Sequence, residues 1–137
     1  MTKIYRTTDR VKVNVEGITF SISPLSYIQK SEIQAKLYKA VTDQDMMAAQ
    51  DAAVLSIKYA VKSVKGLFDG NDEPYQLELE DNQLTQQCID DLLNIKQNTK
   101  LASVCTSLVH GLSTEIIDPT TGEKIEGVSF EVSEKKD

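Results

Sequence analysis

Histidine occurs once in this chain, at His110, and cysteine twice, at Cys88 and Cys105. Histidine metal sites, histidine dyads and disulfide frameworks need several such residues at defined spacings, so little material exists for any of them. The two cysteines do not form a CxxC pair, and free, partly buried thiols are expected. No run is long and apolar enough to span a bilayer and no apolar leader opens the chain, which makes a cytoplasmic protein the expectation. Dense Lys/Arg clusters are also missing, and the formal net charge is −6. Both count against duplex nucleic acid as a partner, because phosphate neutralisation supplies most of such affinity. Neither a GxGxxG nor a GxxxxGK[ST] run is present to cradle phosphates.

What is present fits a single domain over residues 1–137. With 40 % hydrophobic and 26 % charged residues the composition is globular, and a chain of this length can bury roughly two-thirds of its unfolded surface. The charge is uneven. Asp69, Asp72, Glu73, Glu78, Glu80, Asp81, Asp90 and Asp91 follow one another without an intervening Lys or Arg, after a basic row at Lys58, Lys62 and Lys65. Neighbouring acidic and basic surfaces can steer a protein partner or another copy, or serve only solvation.

The hydrophobic pattern predicts an α+β fold. Val11, Val13 and Val15, then Ile18, Phe20 and Ile22, alternate with polar residues on either side of Glu16-Gly17, the pattern of an N-terminal β-hairpin. Ser23-Pro24 then suits a helix start, with Ser23 as N-cap, and Leu25, Ile28, Ile33, Leu37, Ala40 and Val41 make an imperfect helical stripe. Thr42 or Asp43 can cap a second helix whose row Met47, Gln50, Val54, Ile57, Val61, Val64 and Phe68 runs to the turn at Asp69-Gly70-Asn71. Tyr75, Leu77 and Leu79 alternate as a short extended segment. Asp81 or Asn82 can cap a third helix carrying Leu84, Cys88, Leu92 and Ile95, and a fourth runs from Thr99 to His110, stopped by Gly111. About four helices are therefore expected. Residues 112–137 are β-prone: Thr114–Ile117, a turn at Asp118–Gly122, and the alternating Val128, Phe130 and Val132 read as a C-terminal hairpin or arm.

No residue set carries an obvious reaction. A Cys105–His110 pair is turned through about 140° on a helical cylinder, and His110 near a helix C-terminus suits a dipole contact. Asp69, Asn71, Asp72 and Glu73 depart from the twelve-residue calcium loop, since Gly70 falls at its second position. Asp90 and Asp91 are adjacent and diverge on a helix. No enzyme activity, metal or cofactor is expected.

The order of these elements resembles the tail assembly chaperones of long-tailed bacteriophages. The resemblance spans residues 11–111 and rests on the β pair ending in ITFSISPLS, the helix AAVLSIKYAVKSVKGL, the excursion FDGNDEPYQLELE, and LTQQCIDDLLN followed by LASVCTSLVHG. DGNDEPY carries an extra residue or two relative to the compact form of that excursion. The resemblance implies a non-enzymatic protein of the host cytoplasm, absent from the finished virion. Such proteins bind the tape measure protein, keep its hydrophobic helical segments soluble and help recruit tail tube subunits, in many cases alongside a longer frameshifted form. Copies of the chain could pack around an extended amphipathic helix as a homo-oligomer, without nucleic acid or membrane. The binding surface is expected on the helix around Ile57, Val61 and Val64 and on that around Leu101, Val104 and Leu108, which are also the best core candidates. The alternatives are a structural tail component (a tube, connector or terminator subunit closing a ring through its strands) and a small enzyme or regulatory domain.

Overall fold

The alternating runs near the N-terminus pair as the pattern requires. The computed structural model describes residue 4, residues 6–110 and, as backbone only, residues 128–132. Strands β1 (Val11–Val15) and β2 (Ile18–Ile22) are antiparallel, with Val13 opposite Phe20. Their turn places Glu16 at φ 51 and Gly17 at φ 93, a two-residue loop with positive φ at both positions, whose twist matches that of the strands. Asn14 Oδ1 accepts the Gly17 N–H at 3.1 Å and supports the turn that Glu-Gly makes less readily than Asn-Gly.

Strand β3 (Val61–Lys65) pairs with β2, and β6 (Val128–Val132) pairs with β1. The result is one antiparallel sheet in the order β3-β2-β1-β6. The other strand expected in a C-terminal hairpin, Thr114–Ile117, and its turn lie outside the described residues.

Among the described residues four helices complete the α+β fold: α1 (Tyr27–Thr42), α2 (Met46–Ala60), α3 (Gln86–Leu93) and α4 (Asn98–Ser107), the last continued by a 3-10 turn, Leu108–His110. Val11, Val13, Val15, Ile18, Phe20 and Ile22 on one sheet face share a single core with Ile33, Ile57, Leu92, Leu101, Val104 and Leu108 from the helices and the turn. Lys12 and Asn14, which alternate with the buried valines, face water. Among the described residues no helix is long and apolar enough to cross a membrane.

The second helix is shorter than its apolar row predicts. Ala60 ends α2, and Val61 turns to extended backbone at φ −78, ψ 126. Strand β3 pairs Val61 with Ile22 and Val64 with Phe20, and the register shifts between them so that Lys62 is the extra residue of a bulge. A spacing of three would put two residues on opposite faces of a regular strand, but the bulge brings both valines to the core side. β-Branched residues suit this position, and pairing satisfies backbone groups that β2 would otherwise leave at an edge. The hydrogen bond from Ser23 N–H to Ala60 C=O, 2.8 Å, ties the end of α2 to the end of β2.

Helix starts also fall later than Ser23, Thr42 or Asp43, and Asp81 or Asn82. Ser26 caps α1 in a reciprocal capping box with Gln29, while Leu25 is buried ahead of it. Asp45 caps α2 through the N–H groups of Met47 and Ala48. Thr85 caps α3 through Cys88. Asp81 and Asn82 instead form the tight turn between β4 (Leu79–Glu80) and β5 (Gln83–Leu84), with φ 53 and 65, a conformation that Asn and Asp tolerate.

Candidate functional site

The cysteine and histidine side chains diverge. Cys88 and Cys105 are both free and buried, whereas His110 is exposed. Burial pushes the Cys105 thiol up to about 12, so it holds its proton and is a poor nucleophile at neutral pH. Cys88 Sγ accepts the Glu78 N–H at 3.2 Å, which anchors the extended segment before β4. Among the described residues no group of three or more His, Cys, Asp or Glu side chains is placed to hold a metal.

The acidic excursion is internally organised. Asp69 Oδ1 accepts the N–H groups of Asn71 at 2.8 Å and Glu73 at 3.0 Å. Phe68 and Pro74 form an isolated antiparallel bridge, and Tyr75 N–H donates to Leu67 C=O. The Tyr75 hydroxyl donates to Asp91, which joins the excursion to α3. Desolvation, followed by that hydrogen bond, raises the tyrosine pKa. The Asp69 carboxylate thus closes a backbone turn.

The six residues expected to form the binding surface lie on the inside. Ile57, Val61, Leu101 and Val104 are 0 % exposed and Leu108 is 1 % exposed, all within the core, while Val64 is half-buried against it. Side chains in these positions belong to or pack against the core that helices and sheet share. Their helical spacing is a sound signal of burial, but it does not say whether a partner or the protein's own sheet provides the cover.

An open groove lies beside those rows. Ala49, Gln50, Ala53 and Val54 from α2 face Asn98, Thr99, Ala102, Ser103 and Thr106 from α4, with Leu37 and Leu93 completing the lining of a cavity of about 500 Å³. Steps of four along each helix place Ala49 with Ala53, and Asn98 with Ala102 and Thr106, as adjacent rows. Alanine favours helix and leaves no bulk above the backbone, so the space between α2 and α4 stays open for close approach. The signal in sequence is these small residues, one position round from each core row.

Among the described residues the lining carries no charged side chain. Several of its polar groups already have partners: Thr106 Oγ1 donates to Ala102 C=O at 3.0 Å, Asn98 Nδ2 donates to Leu93 C=O, and Thr99 Oγ1 donates to Asn98 Oδ1. The small and apolar side chains of the described lining offer a surface on which another group can pack. The groove's volume falls within the range of ordinary ligand pockets, and its two helical walls suit the apolar side chains of an inserted helix. No family model, curated protein or solved structure matches this chain.

Proposed function

We propose that this protein is a non-enzymatic assembly chaperone of phage tails that binds the tape measure protein along the α2–α4 groove, keeps it soluble and helps bring tail tube subunits to it. The observation that carries this reading is the uncharged, helix-walled groove with its alanine rows. A long tape measure helix exposes apolar side chains at intervals of three and four residues, and a shallow groove with small walls accepts such side chains without a fixed polar code. The elements from ITFSISPLS to LASVCTSLVHG, which carry the resemblance to tail assembly chaperones, include both walls.

Co-expression with a tape measure protein encoded in the same genome tests the proposal. A soluble complex of defined mass is expected, with the tape measure fragment aggregating when expressed alone. A correctly folded chain that neither binds the fragment nor prevents its aggregation refutes the proposal.

A structural tail subunit is the second reading, favoured by the position of β3 and β6 at the two ends of the sheet order among the described residues. Outer strands can pair with a neighbouring copy and close a ring. Stoichiometric amounts of this chain in purified mature particles would favour that reading over a chaperone that leaves before completion.

A further inference from the structure

A second surface lies on α1, facing water. Tyr27 is 82 % exposed, Ile28 76 %, and Tyr38 and Val41 71 % each. At ~100° per residue these positions, with Ser31, Gln34, Ala35 and Thr42, cover an arc of ~140°, and all of them are exposed and uncharged. The water-facing side of a surface helix ordinarily carries charged residues. Here the charged Glu32 and Lys39 stand along one edge of the arc, seven residues apart and therefore nearly in line after two turns.

We propose that this face docks a second copy of this chain, with the two α1 helices antiparallel about a two-fold axis near Ala35. The charges choose the occupant. A two-fold antiparallel pair brings the same edge of each helix together, so Glu32 of one copy meets Lys39 of the other and symmetry repeats the contact. A parallel pair would set that edge against the opposite one, where the nearest charge is Lys30, and would leave Lys39 without an acid.

The remaining positions suit the same arrangement. Ala35 at the crossing point permits close backbone approach, Tyr38 lies over Ser31 of the other copy, and Ile28 meets the Thr42 methyl. The internal contacts of the two charged residues leave them able to pair. Tyr59 occupies only Oε1 of Glu32, and the Lys39–Asp45 pair is 3.8 Å long and solvent-accessible, so it exchanges readily. One helix on one helix is a small interface, which places the dimer in the micromolar range. Met46 and Met47, 78 % and 65 % exposed just beyond α1, extend the apolar surface. The proposal does not depend on what occupies the α2–α4 groove.

Sedimentation velocity on the full chain between ~1 and ~100 µM, the range implied by an interface of this size, tests it. Reversible dimers are expected. Ala35→Arg, at an exposed position, should weaken them at least ~tenfold, and Tyr38→Ser should act in the same direction, with circular dichroism verifying the fold of each. Lys39→Glu alone should weaken the dimer, and combining it with Glu32→Lys should restore it. A chain that stays monomeric throughout, or a dimer indifferent to Ala35→Arg and Tyr38→Ser, overturns the proposal. So does a double exchange no better than Lys39→Glu. Protection of the α1 stripe from hydrogen exchange only after an amphipathic helical peptide is added would assign the face to a different partner and also overturns it.

Discussion

Lys100 on α4 forms an ion pair with Glu16 at the tip of the β1–β2 turn, across a sequence separation of 84 residues. Glu16 occupies a left-handed conformation that L-residues other than Asn and Asp seldom adopt. The contact therefore ties the outer wall of the helical layer to the most strained residue of the hairpin. Hydrogen bonding to Lys100, and next its charge, hold the Glu16 carboxyl below the usual carboxylate range. A depressed pKa stabilises the fold above the ordinary carboxylate value, and that stabilisation is lost as pH falls through the lowered one. Lys100→Gln should lower the urea midpoint at neutral pH, with the difference from the parent shrinking at acid pH and in high salt.

Deleting Lys62, the extra residue of the bulge, leaves Val61 and Val64 two apart, the spacing at which a regular strand keeps both on the core side. The deletion should therefore stay within ~1 kcal/mol of Lys62→Ala, which keeps the bulge. Urea unfolding at constant m-value measures the difference, and a loss of ~2 kcal/mol or more would mean that one valine has left the core.

The start of α2 is tested by two aspartates two residues apart. Asp45→Ala removes the acceptor for the Met47 and Ala48 N–H groups and should cost ~1 kcal/mol. Asp43→Ala, on an exposed side chain outside that cap, should stay within ~0.5 kcal/mol of the parent.

Tyr59 donates to Glu32 at 2.6 Å, joining α2 to α1. Desolvation first, then this hydrogen bond, pushes its pKa up to about 12. Because the folded value is raised, the associated stability is fully present below the ordinary phenol pKa and fades as pH rises through about 12. Absorbance titration should show a late tyrosine ionisation that disappears in Tyr59→Phe. At neutral pH that variant should lose only ~0.5 kcal/mol, because the contact is partly solvent-screened.

Ala102→Leu places a branched side chain in the α2–α4 groove. It should weaken binding of a tape measure fragment at least ~tenfold by occupying the partner's space, while thermal unfolding shows the fold retained. Calorimetric titration against the fragment measures the first effect. Undiminished binding would place the partner elsewhere on the molecule.

Local signals in the residues specify much of this molecule. The alternation of Val11–Val15 and Ile18–Ile22 suffices for a hairpin, because strand period and a short turn place both halves together before any distant contact forms. The Leu84-to-Ile95 row and the Leu101-to-Leu108 row likewise mark segments that bury one side, whereas the α1 stripe does so only in part: Leu25 and Ile33 are buried and Leu37 packs against the core, but Ile28 and Val41 face water. Local chemistry also contains the Ser26-x-x-Gln29 capping box and the Asp45 cap, but Ser23, Thr42 and Asp43 compete for the same roles, and only the position of the packed helix selects among them.

Tertiary structure decides where α2 stops and which surface stays open. The spacing of Ile57, Val61 and Val64 fits a continuous helix as well as a helix followed by a bulged strand. The β2 edge provides the backbone partners that select the second. For the same reason hydrophobic periodicity identifies Ile57, Leu101 and Val104 as buried without naming what covers them. The covering surface is the rest of the protein's own core, and once those rows turn inward, the neighbouring small residues Ala49, Ala53 and Ala102 are left to line the groove. Period and capping are properties of adjacent residues, whereas the choice between core and surface is made by contacts among residues far apart in the chain.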